Sequence, residues 1–120
     1  MPVYKMYDIH TETVTIANGA SLSGATSELD GRLVAVMTDS AWDTNSMTFQ
    51  VSFDGSTYYN LYDDVGEYTI SSVVASTCRS VNLNNFIGAR YIKVRSGTSG
   101  AAVNQNGDTV VSIITFKFEG

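Results

Sequence analysis

Alternation of apolar and polar positions is clearest between residues 47 and 53. Met47, Phe49, Val51 and Phe53 are large and apolar, while Thr48, Gln50 and Ser52 between them are polar. Period two predicts a strand with one face in a core. Asp54-Gly55-Ser56 then supplies a turn, since Gly accepts positive φ and Asp bonds its own backbone. Residues 57–62 form the return strand of a hairpin. A two-residue loop would set Asn60 opposite Phe49, placing a polar side chain on the core face. A three-residue loop sets Tyr59 opposite Val51 and Leu61 opposite Phe49, and is the register expected.

The same reading extends along the chain. Residues 13–16 form a short strand, and residues 33–37 form an unbroken apolar run of strand length covered on both faces. Residues 68–74 read as a strand. So do residues 76–83, with Cys78 as a small buried position. In residues 90–95, Ile92 and Val94 face inward, and Tyr91, Lys93 and Arg95 face solvent. Residues 109–118 form the longest strand and are apolar on both faces: Ile114, Phe116 and Phe118 on one, Val111 and Ile113 on the other. Residues 3–9 also lack a clean polar face.

Breakers punctuate these runs at Asn18-Gly19, Ser23-Gly24 and Asp30-Gly31, and the longest breaker-rich loop is 96–108. A loop of that length without structure of its own is functional or disordered. About eight short strands, turns between them and no helical pattern predict an all-β fold: an antiparallel β-sandwich, jelly-roll-like. Residues 1–12 are expected as an N-terminal arm or edge strand, and 13–120 as one β-sandwich domain. The expected core is Val34, Val36, Phe49, Val51, Phe53, Leu61, Ile92, Val94, Ile114 and Phe116.

Composition narrows the function. Of the 120 residues 43% are apolar and 16% charged, which suits a folded domain and excludes a disordered one. The net charge of −5 and seven scattered basic residues argue against nucleic acid as partner. No stretch reaches the ~20 apolar residues of a membrane span. The first ten residues have no signal-peptide pattern, so synthesis in the host cytoplasm is expected. A single cysteine excludes an internal disulfide. His10 is the sole histidine, so no metal centre is expected, and it reads as a surface or interface imidazole. No cofactor is implied.

Candidate chemistry is sparse. Asp63, Asp64 and Glu67 around Gly66 read as a solvated turn, because hydrolytic carboxylates must face each other across a cleft. Trp42 lies in a polar loop with Asp39, Asp43 and Asn45, a group that offers a sugar-binding platform or, more readily, a plug over one end of the sandwich. No nucleophile–base pair or phosphate loop is present, so no enzyme is expected.

Two motifs carry a resemblance. Residues 48–63, TFQVSFDGSTYYNLYD, and 86–99, FIGARYIKVRSGTS, are similar to the discoidin-like, galactose-binding-like jelly-roll pattern. The fuller arrangement spans Ala41-Trp42, residues 48–55, 58–63 and 90–99, then the final strand. It resembles a family of small virion proteins of tailed phages and prophages. That resemblance implies a structural component of the virion, a capsid decoration or cement protein on the capsid surface, with the major capsid protein as partner. A carbohydrate-binding or tail-associated adhesion module is the alternative. The two doubly apolar segments leave one face unaccounted for in a single sandwich, which predicts a homo-oligomer, a trimer being favoured. The candidate interface residues are Val3, Tyr4, Met6, Tyr7, Ile9, Trp42, Val111 and Ile113.

Overall fold

A computed structural model describes residues 7–86 and 88–118. Eight strands follow in chain order: β1 Tyr7–Ile16, β2 Arg32–Thr38, β3 Asn45–Ser52, β4 Tyr59–Asn60, β5 Ile70–Val73, β6 Cys78–Ser80, β7 Tyr91–Ser96 and β8 Thr109–Phe118. A 3₁₀ turn, Leu83–Phe86, forms the corner before β7. The expected all-β antiparallel sandwich is the observed fold.

The strands divide into two sheets. Sheet A has the order β1-β8-β2-β6. Sheet B is built on β3, which pairs β7 on one side and β4 and β5 on the other. β1 runs unbroken from Tyr7 to Ile16 as an edge strand, pairing β8 over ten residues. In the β3–β4 hairpin Val51 lies opposite Tyr59, and the Leu61 N–H donates to the Phe49 carbonyl at 3.1 Å, as the three-residue register predicts.

The core lies between the sheets. Val14, Ile16, Leu33, Val36, Val111 and Ile113 come from sheet A; Met47, Phe49, Val51, Ile70, Val73, Ile92 and Val94 come from sheet B. At one end Phe49 and Phe86 meet edge to face, centroids 5.2 Å apart, with Tyr68 against both.

Four expectations for buried positions are corrected. Phe53 is 55% exposed, because β3 ends at Ser52 and the chain turns away from the sandwich one residue before it. In β8 the faces are the reverse of those expected: Val111 and Ile113 fill the core, while Ile114 and Phe116 lie on the outer face, half-buried. Val34 is the extra residue of a β-bulge between Leu33 and Ala35, and is half-buried. Cys78 is exposed, because the three-residue edge strand β6 turns it outward beside Met37.

The loops are held by side chains. Residues 20–29 run along the outer edge of β7, where Ser23 and Thr26 donate backbone N–H groups to the carbonyls of Val94 and Ile92. Their hydroxyls accept the N–H groups of the same two residues, at 2.9 and 3.1 Å. That edge is thereby closed to a further strand. The long loop after β7 is pinned by Gln105, which is fully buried. Its Oε1 accepts from the Asp43 N–H at 2.8 Å, and its Nε2 donates to Ser96 Oγ at 2.8 Å. The loop is thus tied to the Trp42 loop before β3 and to β7, and a single Gln in a Gly- and Ser-rich stretch gives no local sign of it.

Candidate interaction face

Strand parity and pairing place a distinct set of side chains on the outer face of sheet A. From β1 come Ile9, Thr11, Thr13 and Thr15; from β8, Val110, Ser112, Ile114 and Phe116. β2 adds Arg32, Ala35 and Met37, and β6 adds Cys78 and Ser80. One row, Thr13–Ser112–Met37–Cys78, crosses all four strands. Asp8 and Glu12, the acids of β1, alternate onto the opposite face, and β2, β6 and β8 contain no acid. The strands of sheet A therefore put no carboxylate on this outer face; the acid that borders it is Asp39, just past β2, which lies beside Met37, Cys78, Val110 and Ser112 and accepts the Val110 N–H.

Of the expected interface residues, those with described side chains are Ile9, Trp42, Val111 and Ile113. Ile9 is 51% exposed on this face. Val3, Tyr4 and Met6 lie outside the described residues, as does the side chain of Tyr7. Val111 and Ile113 are corrected: they point into the sandwich, and their outward neighbours take the place expected of them. Trp42 is corrected as an interface residue too.

Trp42 is 3% exposed, and its Nε1 donates to the Val73 carbonyl at 3.0 Å. It plugs the sandwich. Its neighbours in the alternative sugar-binding group are committed to holding loops. Asp39 accepts from the N–H groups of Ala41 and Val110 at 3.0 and 2.9 Å. Asp43 accepts from the Asn106 N–H at 3.0 Å. Asn45 accepts from the Ser46 N–H at 2.8 Å. With the indole buried and these acceptors engaged, the group offers no stacking platform, which corrects that reading of the loop.

The outer face of sheet B is polar and closed in a different way. Arg95, expected in solvent, is buried. It donates to Asn60 Oδ1 at 2.7 Å and to Thr48 Oγ1 at 3.4 Å, and pairs with Glu67 at 3.2 Å. Glu67 also accepts from the Ser99 N–H at 3.0 Å, which ties the acidic turn to the long loop. Lys93 lies over the Tyr58 ring, 4.3 Å from its centroid. Burial, then the nearby Tyr91 and Asp54, pushes the Tyr58 phenol above its usual value.

Sheet B is exposed elsewhere. Phe53, Tyr59, Tyr62 and Val65 follow one another along the β3–β4 hairpin and the turn beyond it, all largely in solvent, Val65 at 95%. The hairpin turn itself is built on Asp54, whose Oδ1 accepts from Ser56 and Thr57 N–H at 2.8 and 2.9 Å and from Ser52 Oγ at 3.1 Å. Residues 52–55, Ser-Phe-Asp-Gly within the first motif of the resemblance, thus build the turn.

His10 sits at the surface, its Nε2 3.2 Å from Asp8 and 3.3 Å from Asp30. Lys117 donates to both Asp30 oxygens at 2.9 Å and holds that carboxyl below its ordinary value. Among the described residues, no group of three His, Cys, Asp or Glu side chains is arranged to hold a metal ion. Nor is any helix there long and apolar enough to cross a membrane.

No protein-family model matches the sequence, and no curated protein matches it. A solved structure does match the fold: that of the SPBc2 prophage-derived protein YomS. The TM-score is 0.61 at 12% identity, covering 98% of this chain and 100% of that one. This chain and YomS share one architecture from end to end.

Proposed function

We propose that this chain is a non-enzymatic structural protein of a bacteriophage virion, a decoration or cement protein on the capsid surface. In this reading it associates with copies of itself and with the major capsid protein. The observation that carries the reading is that both sheets of one small domain leave large apolar side chains in solvent. A core fills the space between the sheets, yet Ile9 and Met37 on the outer face of sheet A, and Phe53, Tyr59, Tyr62 and Val65 along the hairpin of sheet B and the turn beyond it, remain exposed. Apolar surface left in solvent on a well-packed domain marks protein contacts. A protein that reinforces a lattice has to touch more than one neighbour, and exposed apolar side chains on both sheets provide for that. The end-to-end likeness to a prophage-derived protein supports the phage setting.

The aromatic side of sheet B is the proposed lattice contact, since Tyr and Phe are enriched where interfaces form. The test is co-sedimentation of the purified chain with capsids of the phage that encodes it. The intact chain should pellet with capsids, and a Tyr59→Ala/Tyr62→Ala variant should lose at least tenfold in retention. An intact, folded chain left in the supernatant would overturn the reading.

A further inference from the structure

We infer that two copies of this chain meet face to face through the outer surface of sheet A, in an isologous pair. The inference rests on the proposal above that the protein associates with itself, and it names the surface and the symmetry.

Charge is the first argument. The chain carries twelve acidic residues against seven basic ones, so two copies repel each other over most of their surface. Within its strands the outer face of sheet A has no carboxylate, because both acids of β1 fall on the other parity and the other three strands have none; Asp39 borders it at the end of β2, its carboxylate accepting the N–H groups of Ala41 and Val110. Among its strand residues the one charged side chain is Arg32, at the start of β2, and Asp39 borders the face at the opposite end of that strand. A two-fold axis lying between the two faces and running across the strands carries the two Arg32 side chains to opposite ends, each toward the end bordered by the other copy's Asp39, so like charges are not opposed.

Composition is the second. The face mixes Ile9, Ile114, Val110 and Met37 with the hydroxyls of Thr11, Thr13, Thr15, Ser80 and Ser112. A hydroxyl both donates and accepts, so a field of hydroxyls and apolar groups complements itself. A face bearing one sign of charge does not. A single self-complementary patch gives a two-fold pair, whereas a three-fold ring needs two different patches on each copy.

Size is the third. Strands of about 3.3 Å per residue spaced about 4.8 Å apart make this sheet on the order of 500 Å² per copy. Doubled, about 1,000 Å² meets the lower bound for a specific interface. Two such faces stack about 10 Å apart, as sheets do inside a sandwich.

The experiment is sedimentation equilibrium of the intact chain over micromolar to high-micromolar concentrations, with alkylation of Cys78 by iodoacetamide at each concentration. The expected result is a mass that doubles with concentration, with Cys78 alkylation slowing at least several-fold as the pair forms. Thr13→Glu and Met37→Glu, at exposed positions of the central row, should each halve the mass and restore fast alkylation. Tyr59→Glu, on the other sheet, should leave the pair intact. A monomer throughout would overturn the inference, as would a pair that survives both face variants or leaves Cys78 equally reactive. Capsid retention is read separately: a pair that ignores capsids sinks only the virion reading, and a monomer that binds them sinks only this one.

Discussion

Arg95 and Glu67 meet at 3.2 Å on the outer side of sheet B, with only 8% and 12% of their side chains in solvent. The pair joins β7, the acidic turn and the long loop, through Asn60, Thr48 and the Ser99 N–H. Removing one partner of such a pair leaves the other charge buried. Arg95→Met should therefore lower stability by about 3–5 kcal/mol. The double variant Arg95→Met/Glu67→Gln should recover part of that loss. Urea melts of the parent and the two variants measure both effects.

None of this was legible in the strand around Arg95. Its alternation with Lys93 reads as a solvated face, and its carboxylate partner lies 28 residues away in a turn that looks solvated as well. What local pattern encodes did come through: the strand positions, the hairpin register with Val51 opposite Tyr59, and the sandwich architecture. Each misassigned position has its own local cause. In β8 both faces are apolar, so alternation has no preferred side, and Ile114 and Phe116 lie outside while Val111 and Ile113 fill the core. Phe53 continues the rhythm of β3 one step past the strand's end. Cys78 follows the general habit of buried cysteines, but its strand is an edge.

Phe49 is fully buried against Phe86 and Tyr68. An Asp at this position has no compensating donor, and its burial costs more than a small domain can absorb. Phe49→Asp should yield no cooperatively melting protein. A soluble variant with a sharp thermal transition would show the core to be wrongly placed.

Trp42 is a structural plug, so its loss should be felt in folding. Trp42→Ala should cost about 3–5 kcal/mol, the range for a large aromatic removed from a core. Denaturant unfolding followed by far-UV circular dichroism measures it. An unchanged midpoint would contradict the burial of the ring and its hydrogen bond to Val73.

Asp54 gives the hairpin turn a pH dependence. Its carboxylate accepts backbone N–H bonds from Thr57 and Ser56 and the Ser52 hydroxyl, and these hold its pKa below the ordinary 3.8. The folded state thus binds fewer protons than the unfolded chain as pH approaches that range. The stabilisation is complete above 3.8 and is lost as pH falls through the lower folded value. Asp54→Ala should melt at a lower temperature than the parent at pH 7, and the gap should close at pH values below the folded pKa. Calorimetry across that range checks it.

Gly97 has φ +86°, and a Cβ there would stand 2.5 Å from the Ala101 carbonyl oxygen and 2.8 Å from the Val103 nitrogen. Both are backbone atoms of the long loop, which have little room to give. Gly97→Ala should destabilise that loop, seen as faster hydrogen exchange at the Val103 amide, which donates to the Ser96 carbonyl at 2.9 Å.

The position of β8 has a consequence for synthesis. It is the last of the eight strands in chain order, yet it lies in the interior of sheet A, and it is the strand that joins β1 to β2. Until it leaves the ribosome, β1 and β2 have no ladder between them, and Val14, Ile16, Leu33 and Val36 have lost half of their layer. The hairpin of sheet B is able to form early from near neighbours, but sheet A waits for the final strand. A nascent chain halted before residue 109 carries two unsatisfied strands and is a substrate for chaperones.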